Sequence, residues 1–239
     1  MMRLDKFLAD AGAGSRSQVK EYIKKGLVRV NEEVVKKPEY KLKEETDQVY
    51  VKNEKICYQQ FHYYMMNKPE GVLSATEDRR EKTVLDLMED IPKKNLFPVG
   101  RLDKDVEGLL LITDDGELAH RMLAPKYHVD KTYYIKANGI LTEKEIKKLE
   151  EGVDIGEDRL TLPAKVKMLS ASENESELLL TIHEGKFHQV KKMMEAVGRP
   201  LTKLKRLSMG NLQLDEGLKP GTFRELTSEE REKLLTYKK

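Results

Sequence analysis

GRLDKDVEGLLLITDDG, the segment from Gly100 to Gly116, joins a charged loop to an apolar run. The run Leu109 to Ile112 is typical of a buried strand, and the Asp-Asp-Gly after it indicates a turn. Asp103 therefore lies in a glycine-bounded loop beside a buried strand, where a carboxylate can be held rigidly and serve as a nucleophile or general base. Spacing alone favours a plainer interpretation, in which Asp103 is a loop carboxylate paired with Arg101 or Lys104.

Other kinds of chemistry find little support in the sequence. Asp103 and Asp105 are suitable ligands for a hard cation, but no neighbouring residues complete a coordination shell. The five histidines form no HExxH pattern, and no GxxxxGK[ST] or GxGxxG loop is present. We therefore expect no metal site and no nucleotide-driven reaction.

Short strands and helices alternate on both sides of the Asp103 segment. YYMMNKPEG predicts a strand ending in a Pro-Gly turn, and KTYYIKANG and ELLLTIHEG predict further strands. Spacing predicts helices in ELAHRML and FHQVKKMMEAVG, and two capping boxes, Thr142 with Glu145 and Thr227 with Glu230, predict two more. This mixture indicates an α+β fold.

The N-terminal stretch predicts a small module of its own. One face of a first predicted helix carries Leu4, Phe7, Leu8 and Ala11. Ser15 is a suitable N-cap for a second helix, which Gly26 ends. LVRVN and VYV predict strands, and the module closes near Ile56. It is too small for a large core and is interpreted as an appendage to a larger domain.

Composition limits the setting of the protein. The chain has 239 residues and one cysteine, Cys57, which excludes an internal disulfide and a Cys-rich zinc site. MMRLDKFLADAG has no apolar signal core, and no apolar run is long enough to span a bilayer. We expect a cytoplasmic protein without a membrane partner.

Basic residues are concentrated in one segment, although the net charge is only +2. Between residues 186 and 206 there is one acidic residue, Glu195, and seven basic ones: Lys186, Lys191, Lys192, Arg199, Lys203, Lys205 and Arg206. A concentrated basic surface attracts phosphates. The alternative is an ordinary solvated face of a lysine-rich protein.

Tyr133 and Tyr134 are adjacent in a predicted strand, so their side chains point to opposite faces. Packing is the better interpretation for the tyrosine that faces the core. For the other, a flat surface on which a base stacks is plausible.

Several segments in order resemble one family, the bacterial ribosomal pseudouridine synthases of the RsuA-like type. They are YYMMNKPEGVLSA, GRLDKDVEGLLLITDDGELAHRML, KTYYIKANG, EGKFHQVKKMMEAVG and LKRLSMGNLQLDEGLKPGTFRELT. The N-terminal module resembles the S4-like RNA-binding domain. The start MRLDKFLAD, the DDG and the HQVKKM run are similar to the small-subunit branch of the family, and the large-subunit branch shares most of these motifs.

The resemblance implies an S4-like domain at residues 1–57, a linker at 58–62 and a catalytic domain at 63–239 on a mixed, mainly antiparallel sheet flanked by helices. It implies isomerisation of a uridine to pseudouridine in 16S ribosomal RNA. The alternatives are a 23S enzyme of the same family and a non-catalytic RNA-binding assembly factor.

The resemblance also implies roles for individual residues. Asp103 matches the essential aspartate, Tyr133 the tyrosine that stacks on the target base, and Lys191 the basic partner of the aspartate. Lys191 would favour the ionised form of the carboxylate. Leu204 or Leu207 would supply an apolar contact to the base. The expected RNA contacts are Arg3, Lys6, Arg16, Lys20, Lys25, Arg101, Lys186, His188, Gln189, Lys192 and Arg206.

The implied reaction has simple requirements. The bond between ribose and a uracil nitrogen breaks, the base rotates, and a bond to carbon replaces it, so no cofactor is expected. The uridine must leave its stack to be reached. The expected partner is ribosomal RNA or an early small-subunit assembly particle, bound by a monomer.

Overall fold

The structure is a computed structural model that describes residues 1–43, 46–56, 61–89, 91, 93 and 95–237. The chain divides into two compact units, Met1–Gln60 and Phe61–Lys239. Residues 58–60 of the expected linker lie outside the described residues, as does Cys57. Across the described ranges, no helix is long and apolar enough to cross a membrane.

The first unit combines two helices with short strands. The helices are α1 (Leu4–Asp10) and α2 (Arg16–Lys24), and the strands are β1 (Met2–Arg3), β2 (Val28–Val30), β3 (Glu33–Val34), β4 (Lys41–Leu42), β5 (Val49–Val51) and β6 (Glu54–Ile56). Strand β1 pairs with β4, and the other strands form a sheet in the order β3-β2-β5-β6. As predicted, Ser15 caps α2, and Gly26, with a φ of 71°, follows its end.

An apolar core holds the first unit together. Leu8 of α1, Ile23 of α2 and Val28 of β2 are fully buried in it. The side chain of Ser15 accepts a hydrogen bond from the amide of Gln18, and the side chain of Gln18 accepts one from the amide of Ser15. Two backbone donors at the start of α2 are thereby satisfied. The helices thus form a firm support for the side chains on their outer faces.

The second unit is built on one large sheet. Its strands are β7 (Tyr63–Lys68), β8 (Phe97–Pro98), β9 (Glu107–Thr113), β10 (Lys131–Asn138), β11 (Lys165–Ala171), β12 (Glu175–Ile182), β13 (Leu201–Met209), β14 (Leu212–Gln213) and β15 (Phe223–Glu225). Its helices are α3 (Gly116–Leu123), α4 (Glu143–Glu151), α5 (Gln189–Ala196) and α6 (Ser228–Thr236). The predicted capping boxes at Thr142 and Thr227 begin α4 and α6.

The sheet of the second unit is mixed but mainly antiparallel. Its order is β11-β12-β10-β13-β9-β7-β15, with β14 paired to β13 and β8 paired to β9. Strands β13 and β9 run parallel, through the pairs Lys205–Glu107 and Arg206–Gly108, and the other pairs are antiparallel. The α+β fold expected from the sequence is confirmed. The parallel pair brings the loop before β9 beside the middle of β13.

Apolar side chains cover both faces of the central strands. Every residue of β7 is buried. Tyr63 and Met65 belong to a cluster with residues of α3 and α6, whereas Tyr64 and Met66 belong to another cluster on the opposite face. A third cluster joins β10, β12 and β13 to α4 and α5. Because both faces are packed, residues at the ends of these strands have well-defined positions.

Candidate active site

The loop before β9 is fixed by hydrogen bonds to its backbone. The amide of Val106 donates to the carbonyl of Asp103 over 3.1 Å and closes a tight turn. The hydroxyl of Ser74 donates to the carbonyl of Leu102 over 2.8 Å and accepts from its amide over 3.1 Å. The carboxylate of Asp103 is therefore carried by a backbone with little freedom.

Lys68, at the end of β7, supports this loop from the interior. Its side chain is fully buried, and its Nζ donates to the carbonyls of Pro69 and Asp103, each over 3.0 Å, and of Val106 over 2.9 Å. A longer contact of 3.4 Å reaches the carbonyl of Lys104. Burial lowers the pKa of Lys68 to about 8, although neighbouring carboxylates oppose the shift. The buried amine thus ties together several carbonyls of the loop.

A cavity of about 140 Å³ opens beside the loop. It lies among four elements: the loop before β9, strand β10, strand β13 and the start of α5. Its lining is Gly100, Arg101, Leu102, Asp103, Val106, Leu123, Lys131, Tyr133, Ile182, Gly185, Lys186, His188, Gln189, Val190, Lys191, Leu204 and Arg206. The three expected catalytic residues, far apart in sequence, therefore meet at one cavity.

Lys191 is the ionic partner of Asp103. Its Nζ lies 3.0 Å from Oδ2 of Asp103 and 2.6 Å from Oδ1 of Asp105. Burial lowers the pKa of Lys191, but the hydrogen bonds to the two carboxylates outweigh burial and raise it. The hydrogen bond from Lys191 also lowers the pKa of Asp105. Both carboxylates face an ammonium group in this arrangement.

The partners suggested by spacing alone are placed elsewhere. Lys104 forms an ion pair with Glu81, and Arg101 is exposed at the cavity lining. His188 Nε2 instead lies 3.5 Å from Oδ1 of Asp103. The carboxylate is about 29% exposed, so it is partly desolvated and still reachable from the cavity.

Tyr133 and Leu204 present apolar surface to the cavity. Tyr133 belongs to the core and also lines the cavity, so packing and exposure to a ligand are combined in one side chain. Its neighbour Tyr134 points to the other face, where its hydroxyl donates to Glu177 over 2.7 Å. Of the two expected leucines, Leu204 lines the cavity and Leu207 does not.

Two of the expected RNA-binding residues are held in the interior. Arg206 is 3% exposed, and its Nε donates to the carbonyl of Leu109 over 2.8 Å. Gln189 is also 3% exposed, and its Nε2 donates to Glu184 over 2.8 Å. Both line the cavity. They differ from Lys192, which is half-buried beside the cavity and does not line it.

Four of the expected basic residues come together in the first unit. Arg3, Lys6, Arg16 and Lys20 line one pocket there, and Asp5 lines it with them. The hydrogen bond from Arg3 lowers the pKa of Asp5, and the two side chains are 2.8 Å apart. Lys25 does not line this pocket and pairs with Glu21 at 2.6 Å.

Sequence reasoning missed Lys68 and the actual role of Asp105. The sequence signal for Lys68 is its place two residues after the apolar stretch YYMM and directly before Pro69, at the end of a buried strand. Asp105 had been weighed as a second cation ligand, whereas it shares Lys191 with Asp103. Within the described residues, no group of three or more histidine, cysteine or acidic side chains is arranged to hold a metal ion.

Comparison with known proteins gives both units a family. The protein-family model described as RNA pseudouridylate synthase matches residues 62–196. The family model of the S4 domain matches residues 2–49. A solved structure titled as a crystal structure of pseudouridylate synthase aligns over 98% of this chain and 100% of its own, with a TM-score of 0.68 and 36% identity.

Curated relatives match over nearly their whole length. A Bacillus subtilis protein described as an uncharacterized RNA pseudouridine synthase is 48% identical, covering 96% of each chain. The Vibrio vulnificus ribosomal small subunit pseudouridine synthase A is 43% identical over 96% of this chain and 97% of its own. The Bacillus subtilis ribosomal large subunit pseudouridine synthase B is also 43% identical, over 98% of this chain and 96% of its own.

These matches define the class of the protein: it is an enzyme that acts on RNA and also contains an S4 domain. The chain belongs to the RNA pseudouridine synthase family, whose members isomerise uridine in RNA. The family resemblance drawn from the sequence motifs is thereby confirmed.

Proposed function

We propose that the protein converts a specific uridine of ribosomal RNA to pseudouridine, and that small-subunit RNA is the substrate. The observation that carries the proposal is the meeting of Asp103, Lys191 and Tyr133 at one cavity beside a rigid loop. The same arrangement argues against a non-catalytic assembly factor, because a purely structural aspartate has no need of a cavity. A third alternative, a small-molecule hydrolase with a catalytic triad, would need a serine or cysteine nucleophile, and among the described residues neither type lines the cavity.

The proposed roles follow from the placement of each group. The flipped uracil stacks on Tyr133 and contacts Leu204, which recovers part of the few kcal/mol that extrusion costs. Asp103 acts as the nucleophile or general base, and the ammonium group of Lys191 faces its carboxylate at 3.0 Å. The bond from C1′ to N1 breaks, the base turns, and the bond from C1′ to C5 forms. The product is an isomer of the substrate, so no oxidant or second substrate is consumed.

Further RNA contacts are proposed at two places. In the second unit, Arg101, Lys186, His188 and Lys192 offer donors at or beside the cavity, while Gln189 and Arg206 act from its lining. In the first unit, the pocket lined by Arg3, Lys6, Arg16 and Lys20 is proposed to hold phosphates, as is Lys25 beyond it.

The subunit and the setting are part of the proposal. A small-subunit substrate is preferred because the N-terminal start, the DDG and the HQVKKM run are similar to that branch. The large-subunit enzyme is the second candidate, because a large-subunit relative matches this chain equally well. We propose a cytoplasmic monomer acting on ribosomal RNA or on an early small-subunit particle.

Mapping pseudouridine directly tests the function. Purified protein is incubated with small-subunit RNA, large-subunit RNA and early small-subunit particles, and chemical stops then locate pseudouridine. We expect one modified uridine in the small-subunit samples. Modification confined to large-subunit RNA would replace the substrate, and no modification in any sample would reject the activity.

Asp103→Asn is the matched control for that experiment. It keeps the shape of the side chain but removes the charge, so product formation should fall by roughly a thousandfold or more while RNA affinity stays unchanged. Normal turnover by this variant would remove Asp103 from the mechanism.

A further inference from the structure

Phe187 is an aromatic side chain that the structure leaves in solvent. It is 71% exposed, more than any other large apolar side chain among the described residues except Met1. Its neighbours in sequence, Lys186 and His188, both line the cavity, whereas Phe187 does not. It therefore stands just outside the cavity, where it contributes little to the core.

The turn that carries Phe187 is ordered. The amide of Gln189 donates to the carbonyl of Lys186 over 3.2 Å, and the Gln189 side-chain oxygen accepts from the amide of Lys186 over 2.9 Å. His188 takes a left-handed conformation with a φ of 53°, which is uncommon for a non-glycine residue. The backbone on both sides of Phe187 is thus held in a defined turn.

The ring of Phe187 continues an aromatic surface that begins at the carboxylate. Phe187 stacks on His188 with 3.8 Å between ring centroids and 19° between ring planes. His188 Nε2 lies 3.5 Å from Oδ1 of Asp103. Two stacked rings therefore lead from the reacting carboxylate to solvent.

A lysine lies against the exposed ring. Lys192 Nζ is 5.7 Å from the centroid of Phe187. By contrast, Lys186, which precedes the ring in the same turn, lies 3.7 Å from Glu157 and 4.0 Å from Glu184. Proteins that bind single-stranded nucleic acid combine exposed aromatic rings with cations, because the base stacks on the ring while the cation meets a phosphate.

We propose that Phe187 is the stacking surface for the base next to the target uridine. The proposal rests on the function proposed above, since it concerns the same RNA. When the uridine leaves its stack, the neighbouring base loses a stacking partner. The ring of Phe187, outside the cavity that holds the flipped uridine, takes the place of that partner. Phe187 is a positioning residue, because it touches the RNA but not the reacting atoms.

Binding measurements on chosen RNAs test the proposal. The first RNA is the fragment that contains the modified uridine, and the second and third each carry an abasic nucleotide on one side of it. Phe187→Leu, which keeps apolar bulk without the ring, should raise Kd for the first RNA about fivefold to a hundredfold. For the RNA that lacks the stacked base, wild type and Phe187→Leu should bind alike.

Two further variants make the outcome specific. Phe187→Tyr keeps the ring and should bind all RNAs as the wild type does. Leu169→Ala removes another exposed apolar side chain, on β11, and should leave Kd and turnover unchanged. If Phe187→Leu slows turnover at saturating RNA without changing Kd, the ring serves only to hold His188, and base stacking is rejected.

The conversion assay separates this proposal from the function on which it rests. Wild-type protein that converts the fragment, together with unchanged Kd in Phe187→Leu, overturns the stacking role alone. Wild-type protein that converts no ribosomal RNA overturns both. A loss of affinity in Phe187→Leu that persists with both abasic RNAs would assign Phe187 a contact other than the neighbouring base.

Discussion

Lys191 lies between two carboxylates, and its charge is the feature of the cavity most open to test. Asp103 and Asp105 compete for one ammonium group, at 3.0 Å and 2.6 Å. Lys191→Met should therefore leave two facing carboxylates without a cation and slow single-turnover conversion by about a hundredfold or more. Asp105→Asn releases Lys191 to Asp103 alone and should stay within about threefold of wild type. Equal losses in both variants would show that Asp105 is as important as Lys191.

The buried amine of Lys68 makes the free energy of unfolding depend on pH in the alkaline range. Its pKa is about 8 in the folded chain and 10.5 when unperturbed. Between these values the unfolded chain binds more protons, so the contribution of Lys68 to the free energy of unfolding rises with pH. Relative to Lys68→Met, wild-type stability should increase by on the order of 3 kcal/mol from pH 7 to 10.5. Denaturant titrations measure this, and a constant difference would contradict it.

Single residues were predicted to different depths. Composition and spacing predicted that Asp103 lies in a rigid loop. They did not predict its ionic partner, because Lys191 follows 88 positions later in the chain. Ordered motifs supplied Tyr133 and Lys191, and both line the cavity with Asp103. The role of Lys68 was not predicted, because its partners are backbone carbonyls and these do not depend on which side chains the sequence contains.

Two of the long strands in the second unit, β11 and β13, were not predicted, because of their surroundings. Strand β13 has a buried face made of Leu204, Arg206 and Ser208, so its apolar alternation is broken by a buried arginine. Its lysines, such as Lys203, give this segment the pattern of a basic surface and not that of an apolar strand. Strand β11 is at the end of the sheet, and its mostly exposed residues show little apolar pattern. The strands and helices with clear periodicity or capping boxes were predicted correctly.

Gly108 controls the close approach of β9 and β13. Its φ is 110°, and a Cβ built there would lie 2.7 Å from the amide nitrogen of Arg206. Gly108→Ala should therefore lower the free energy of unfolding by about 2 kcal/mol or more. Gly116→Ala is the control, because Gly116 has open space and begins α3, where alanine is favourable. Chemical denaturation that finds the two variants equally stable would contradict the close approach.

At the scale of the whole molecule, affinity for RNA is expected to draw on both units. Replacing Lys6, Arg16 and Lys20 with glutamine removes three charges from the pocket of the first unit but leaves the Arg3–Asp5 pair intact. If each charge meets one phosphate, the slope of log K against log salt should become shallower by about 2. Turnover at saturating RNA should be unchanged, since these side chains belong to the other unit.

A second triple variant controls for net charge. Lys36, Lys37 and Lys55 are exposed in the same unit and do not line that pocket. Replacing them with glutamine changes the formal charge equally and should leave the salt slope close to that of wild type. Equal slopes for the two triple variants would mean that the pocket has no special part in binding.

The order of strands in the second unit has a consequence for biosynthesis. The sheet joins β15 to β7 and β13 to β9, which are pairs separated by long stretches of chain. Such non-local pairing slows folding, so milliseconds to seconds are expected for this unit. During translation, the Asp103 loop leaves the ribosome long before Lys191 and Leu204, and a half-made chain cannot form the cavity. Catalytic competence should therefore arise late and abruptly, once β13 has been synthesised and inserted beside β9.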